Sequence, residues 1–332
     1  MFKTKAKLLI LALTTAGLCC FAPARALETA AAPAAASLKA APHLNAPQKA
    51  PIMAATLAGK RVVAVGDYGV VILSDDGKSY RQARQVPTRA VLTSVWFIDD
   101  KNGWVSGHDG TILGTTDGGE TWQLLREEPG KERVLMSIWF ENAQHGLAVG
   151  QFGLALETDD AGKTWRERHL VEAGEQADKH MMDIFPASNG LVFVAAESGS
   201  IFRSEDGGRH WKVVQTDNKG SFWTGKMMAD GSLVAAGMRG HVYRSDDKGL
   251  SWQEIASGTQ QSITEIIQHE GGVIALVGNS GVVLSSTNSG RSFAVSLRPD
   301  RANLTAAVAA AHGDALFSLS GVVEAGTAGA AK

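Results

Sequence analysis

Cysteine is almost missing from this 332-residue chain: Cys19 and Cys20 are the only two, and both lie in an N-terminal apolar run. Once that run is removed, disulfides, thiolate catalysis and cysteine-ligated metals are excluded, and stability rests on an apolar core. Tyrosine is scarce, with three residues. No apolar stretch reaches the ~20 residues that cross a bilayer comfortably. No phosphate loop or dinucleotide fingerprint occurs. The nine histidines are scattered without ligand spacing, and only His169 and His180 share a segment, so neither metal nor cofactor is expected. A basic excess is missing as well, as the N-terminus makes clear.

Lys3, Lys5 and Lys7 precede an apolar run from Leu8 to Cys20, followed by Ala24-Arg25-Ala26 with small residues at the two cleavage-reading positions. This is the three-part export pattern, so residues 1–26 are expected to be a cleaved signal peptide and the mature chain periplasmic or secreted. Removing Lys3, Lys5, Lys7 and Arg25 from the 32 basic residues leaves 28 against 34 acidic, a net of −6. Such a chain has no general attraction for nucleic acid or anionic lipid, and no direct membrane insertion is expected after cleavage. Residues 27–50 are Ala/Pro-rich and read as a flexible linker, as does the tail 325–332. Residues 51–324 remain for one large domain.

That domain is written in repeats. Ser/Thr-x-Asp-x-Gly-x-Ser/Thr-Trp occurs as TTDGGETW, TDDAGKTW, SEDGGRHW and SDDKGLSW, ending at Trp122, Trp165, Trp211 and Trp252. Two variants, SDDGKSY and STNSGRSF, end at Tyr80 and Phe293. The six aromatics are spaced by 42, 43, 46, 41 and 41 residues. Ahead of each box stands a Gly-x-x-Gly turn between apolar alternations, as in VAVGDYGVVIL and LAVGQFGLAL, with Ala196 replacing the first glycine in VAAESGSIF. Two residues between glycines flanked by β-branched alternation signal a tight hairpin. With an apolar stretch upstream and another opening at the box aromatic, each unit is four short antiparallel strands. The expected fold is an all-β propeller, most simply of seven blades, with six as the alternative. The seventh blade would be incomplete and would borrow an outer strand from the segment before Ile52.

The boxes are expected to be structural. Gly supplies positive φ, and the Asp carboxylate satisfies the turn's own N–H groups. Asp76, Asp117, Asp160, Asp206 and Asp247 are therefore turn formers, and Trp122, Trp165, Trp211 and Trp252 are expected to be buried between blades.

The phrase VWFxDxxxGWxVGxxGxILxTxDGGxTW resembles the photosystem II assembly and stability factor propellers, an Asp-box (BNR-repeat) family with non-photosynthetic bacterial relatives. The resemblance runs over roughly residues 52–323. It implies a seven-bladed propeller that acts as an assembly factor for a membrane complex, or beside a resistance-nodulation-division exporter in heterotrophs. A protein partner in an envelope complex and a monomeric scaffold are the corresponding expectations.

The boxes repeat, but the residues inside the glycine turns vary. A position that determines the fold should repeat, whereas one free to specialise need not. Tyr68, His108, Asp109, Phe152 and Arg239 are thus candidate partner contacts, on the face that also carries the long connection from Arg166 to His180. No catalytic residue is assigned. The alternative is a sialidase-like hydrolase or a glycan-binding propeller. Against it, the Phe-Arg-Ile-Pro signature is absent, Tyr80 and Tyr243 fall in a box and a strand, and only Asp67 and Asp109 offer a carboxylate pair on that face.

Overall fold

A computed structural model of the chain describes residues 40–172, 174 and 177–324. The expected signal peptide, the linker up to residue 39 and the tail 325–332 lie outside the described residues. Seven antiparallel sheets follow one another in chain order, six four-stranded and the last three-stranded, each meandering outward from its first strand. The inner strands are Ile52–Ala58, Leu92–Phe97, Leu135–Phe140, Met181–Pro186, Phe222–Met227, Ile263–Gln268 and Leu304–Ala310, and they line a central channel. The second strands of blades 2 to 6 are buried throughout, as expected for strands with a sheet packed on both faces.

The box aromatics join neighbouring blades. Trp122 of blade 2 packs with Val63 and Leu73 of blade 1, and Trp211 of blade 4 with Trp139 of blade 3. Trp165 and Trp252 occupy the same interfaces but are only half-buried, a departure from the expected full burial. Their indole nitrogens find no partner among the described residues, whereas those of Trp122 and Trp211 donate to the carbonyls of Gly119 and Gly208.

Each box is satisfied from within. Thr115 Oγ1 donates to Asp117 Oδ1 at 2.8 Å, and Asp117 accepts the Thr121 N–H at 3.0 Å and hydroxyl at 2.6 Å. The same bonds recur at Asp160, with Thr158 and Thr164, and at Asp247, with Ser245 and Ser251. In the sixth box Asn288 replaces Asp and takes over the accepting role, at 2.8 Å from Ser286 Oγ and 3.0 Å from Ser292 N. An amide that substitutes for a carboxylate shows that the turn uses the oxygen, not the charge.

Blade 7 has no box and, among the described residues, no fourth strand. The segment before Ile52 does not supply that strand. Pro47–Lys49 instead forms a 3-10 turn against the edge strand Gly321–Val323, where a Cβ on Gly321 would lie 2.1 Å from the Gln48 carbonyl. Proline has no N–H to give a ladder, so Pro42, Pro47 and Pro51 disfavour a paired strand here. Residues 40–50 are accordingly a packed strap and not flexible linker. Ala41 N donates to Val86 O at 2.9 Å, Leu44 N to Gln82 Oε1 at 3.0 Å, and Gln82 Nε2 to Pro42 O at 2.8 Å.

The ring itself closes at the inner strands. Thr305 Oγ1 of blade 7 donates to Ile52 O of blade 1 at 2.6 Å, repeating the bond from Thr264 to Leu304 O at 2.8 Å one blade earlier. Thr305→Val removes the donor while keeping the shape. It is expected to lower the unfolding free energy by about 1 kcal/mol, read by chemical denaturation. An unchanged midpoint would place closure in apolar packing alone.

A candidate partner-binding face

The turn between the second and third strands has one geometry in every blade that carries a box. Its second residue is left-handed: Tyr68 (φ 55°), Asp109 (55°), Phe152 (53°), Ser198 (56°), Arg239 (57°) and Ser280 (55°). A side chain there costs about 1 kcal/mol relative to glycine, the residue this conformation favours. The flanking glycines have separate reasons. A Cβ on Gly66 would fall 1.8 Å from the Pro51 carbonyl. Gly153 combines φ +69° with a Cβ position 1.8 Å from the Ala177 carbonyl. The turn is pinned by its last glycine, whose N–H donates into the loop that enters the next blade: Gly69 to Ala90 O, Gly110 to Arg133 O and Gly153 to Lys179 O.

These bonds fix the two faces. Glycine turns and blade-to-blade loops share one face. The boxes share the other with the turns between first and second strands, as in Gly118 N to Lys101 O and Gly207 N to Gly190 O. The box aspartates therefore do not converge on a pocket. Hydrogen bonds from the Thr164 hydroxyl and N–H hold Asp160 down to about 2, and the bonds to His210 and Ser204 outweigh burial to hold Asp206 at about 2. Such carboxylates stay ionised and occupied with their own turns.

On the varied face, Tyr68 and Phe152 are 58% and 72% exposed, and His108 and Arg239 are also exposed. Asp109 is half-buried, and its carbonyl accepts from Glu128 N at 2.7 Å. Phe152 leans on His180, with ring centroids 4.5 Å apart. Beside Asp109, Lys131, Arg126 and Arg133 surround Glu128, and the bonds from Lys131 and Arg126 hold its carboxyl down to about 2. The five residues singled out from the sequence thus occupy one face, in blades 1, 2, 3 and 5, and sit around a rim and not in one pocket. Asp67 and Asp109 belong to turns on separate blades.

The channel runs along the inner strands, which start on this face. Its volume is about 790 Å³. Among the described residues, Asp183, Lys226 and Glu265 are the only ionisable ones that line it, and sequence reasoning missed all three. Their strands read as ordinary alternation, and the two acids are separated by a whole blade. Comparison of the third inner-strand residue across repeats finds the two acids: Ala54, Ser94, Ser137, Asp183, Thr224, Glu265 and Ala306 share one register after a bulge, and Lys226 lies two residues beyond Thr224.

A family model described as Photosynthesis system II assembly factor YCF48 matches residues 73–303. The chain belongs to that family. Photosystem II assembly protein Ycf48 of Thermosynechococcus vestitus is 43% identical over 42 residues, a match that covers 13% of this chain and 12% of that protein. A solved structure titled YCF48 bound to D1 peptide superposes with a TM-score of 0.67 at 18% identity, over 82% of this chain and 92% of that one. YCF48 from Cyanidioschyzon merolae gives 0.65 at 15% identity, over 86% and 96%. A streptogramin B lyase gives 0.70 at 15% identity, over 84% and 94%, so the architecture is shared with an enzyme as well. At these identities the superpositions speak for the fold, and family membership rests on the sequence match.

Proposed function

We propose that this Ycf48-family chain is an exported, non-catalytic scaffold that holds a partner protein on its varied face during assembly of an envelope membrane complex or exporter. The observation that carries the reading is the retention of six side chains in left-handed turns where glycine would be more stable. The box turns hold such residues in only three blades, at Ala161, Lys248 and Ser289, and use Gly77, Gly118 and Gly207 in the other three, whereas the turn on the varied face keeps a side chain in all six, of five different types. Family membership supports the assembly role, and the relative described as bound to a D1 peptide supports a polypeptide partner.

The strain also separates binding from folding. Tyr68→Gly, His108→Ala, Phe152→Gly and Arg239→Gly together are expected to leave the melting temperature unchanged or higher. Crosslinked capture of envelope proteins should drop at least tenfold. A variant altered only on the box face, Lys163→Ala with Leu250→Ala, should capture as the parent does. Equal capture by the turn variant would remove the reading.

A further inference from the structure

The channel carries an unbalanced set of charges. Asp183 and Glu265 come from blades 4 and 6 at equivalent inner-strand positions, with Lys226 of blade 5 between them. Lys226 is committed elsewhere: its Nζ donates to the Ile266 carbonyl at 2.9 Å, and among the described residues it forms no ion pair with either acid. Asp183 accepts from Gly225 N at 3.1 Å and Ser137 Oγ at 3.3 Å, and Glu265 accepts the Ile266 N–H at 2.9 Å. All other lining residues are uncharged. With both acids ionised, the channel therefore holds a net charge of one negative unit and room for one cation.

The rest of the wall suits an apolar stem. The bulge that opens each inner strand leaves Met53, Met136, Met182 and Trp223 at the varied-face end, and Trp96 lines the wall in blade 2. Methionine and tryptophan offer polarizable, adaptable surface to an alkyl chain or a cation. On the strand of Glu265, Gln268 also lines the channel, and its Oε1 accepts no hydrogen bond among the described residues.

We propose that the channel is a binding site for an alkyl cation, a guanidinium or ammonium group on an apolar stem, whose charge is received by Asp183 and Glu265. Enclosure by protein, and for Asp183 the neighbouring Glu265 charge, pushes both carboxyls up, Asp183 to about 7, a shift that the single Lys226 charge opposes without overcoming. A bound cation displaces that proton. Affinity consequently rises with pH through about 7, and among the described residues Lys226 is the only titratable group on the channel wall besides the two acids.

The test is calorimetric titration of the mature chain with agmatine, with the peptide acetyl-Gly-Arg-Gly-amide, and with its uncharged citrulline analogue. At least one of the two cations is expected to bind at pH 8, with affinity falling towards pH 6 and more protons released on binding there. Asp183→Asn and Glu265→Gln should each weaken it by about tenfold or more. Lys226→Met should tighten it, a gain that a misfolded variant cannot produce. Agmatine binding as tightly as the peptide makes a free amine the ligand; tighter peptide binding makes it a side chain of a polypeptide. No binding by either cation, equal binding of the citrulline analogue, or indifference to the two carboxamide substitutions would overturn the proposal. None of these variants alters the turn residues of the varied face, so this site and the partner-binding reading fail independently.

Discussion

Trp122→Ala is expected to lower the unfolding free energy by about 3–5 kcal/mol. The side chain is 1% exposed and sits in the cluster that joins blades 1 and 2, with Val63, Leu73, Val105 and Leu113. Phe97 meets it edge-on, with ring centroids 6.1 Å apart, a geometry that adds to simple burial. Truncation leaves a cavity that a rigid two-sheet interface cannot collapse. It also strips the Gly119 carbonyl of the indole N–H that now donates at 3.0 Å. Trp252→Ala is the internal comparison: that ring is half-buried and its N–H has no partner among the described residues, so the loss should be smaller. Denaturant titration monitored by far-ultraviolet dichroism measures both. A loss below about 1 kcal/mol at Trp122, or a larger loss at Trp252, would contradict the view that box aromatics stabilise by filling blade interfaces.

Asp183→Asn is expected to change the pH dependence of stability. Burial and the Glu265 charge raise its carboxyl from 3.8 to about 7 in the folded chain. Between those values the folded form holds a proton that the unfolded form has released, so wild-type stability falls as pH rises from about 4 to about 7. The full shift corresponds to at most about 4 kcal/mol, and water reaching the channel reduces it. Asparagine removes this contribution. The variant should match the parent below about pH 3, where the aspartic acid is protonated in both states, and exceed it at pH 8. Glu265 is raised in the same direction, so the double carboxamide variant should flatten the profile further. Box carboxylates act in a separate window. Asp160 and Asp206, held at about 2, contribute stability above their unfolded values, and it is lost as pH falls through about 2. A parent-like slope in Asp183→Asn between pH 4 and 7 would mean that this carboxyl is not raised.

The architecture was legible from the sequence because the propeller is local. A box, a glycine turn and two apolar alternations specify one blade, and the 41- to 46-residue spacing of the aromatics sets how often it is repeated. The structural role of Asp117, Asp160, Asp206 and Asp247 was readable for the same reason, since every bond they accept comes from within four residues. The chemistry of the turn also marked where variation falls, which placed Tyr68, His108, Asp109, Phe152 and Arg239 on one face.

Other features depend on contacts between distant parts of the chain. The strap at residues 40–50 reads as linker because its Ala/Pro composition lacks periodicity, yet Arg89 Nε donates to Ala40 O at 2.8 Å across 49 residues and the strap is held by blades 1 and 7. Closure through Thr305 and Ile52 joins residues 253 apart. The left-handed conformation of Phe152 follows from the two glycines around it only when the next blade's loop locks the turn. Asp183, Lys226 and Glu265 meet because successive inner strands face one axis, and no spacing along the chain encodes that. Sequence alone determined the repeating unit, whose hydrogen bonds and hydrophobic alternation are short-range. Tertiary structure decided what the closed ring encloses, because the position of the channel and the burial of its charges exist only once all seven blades share a centre.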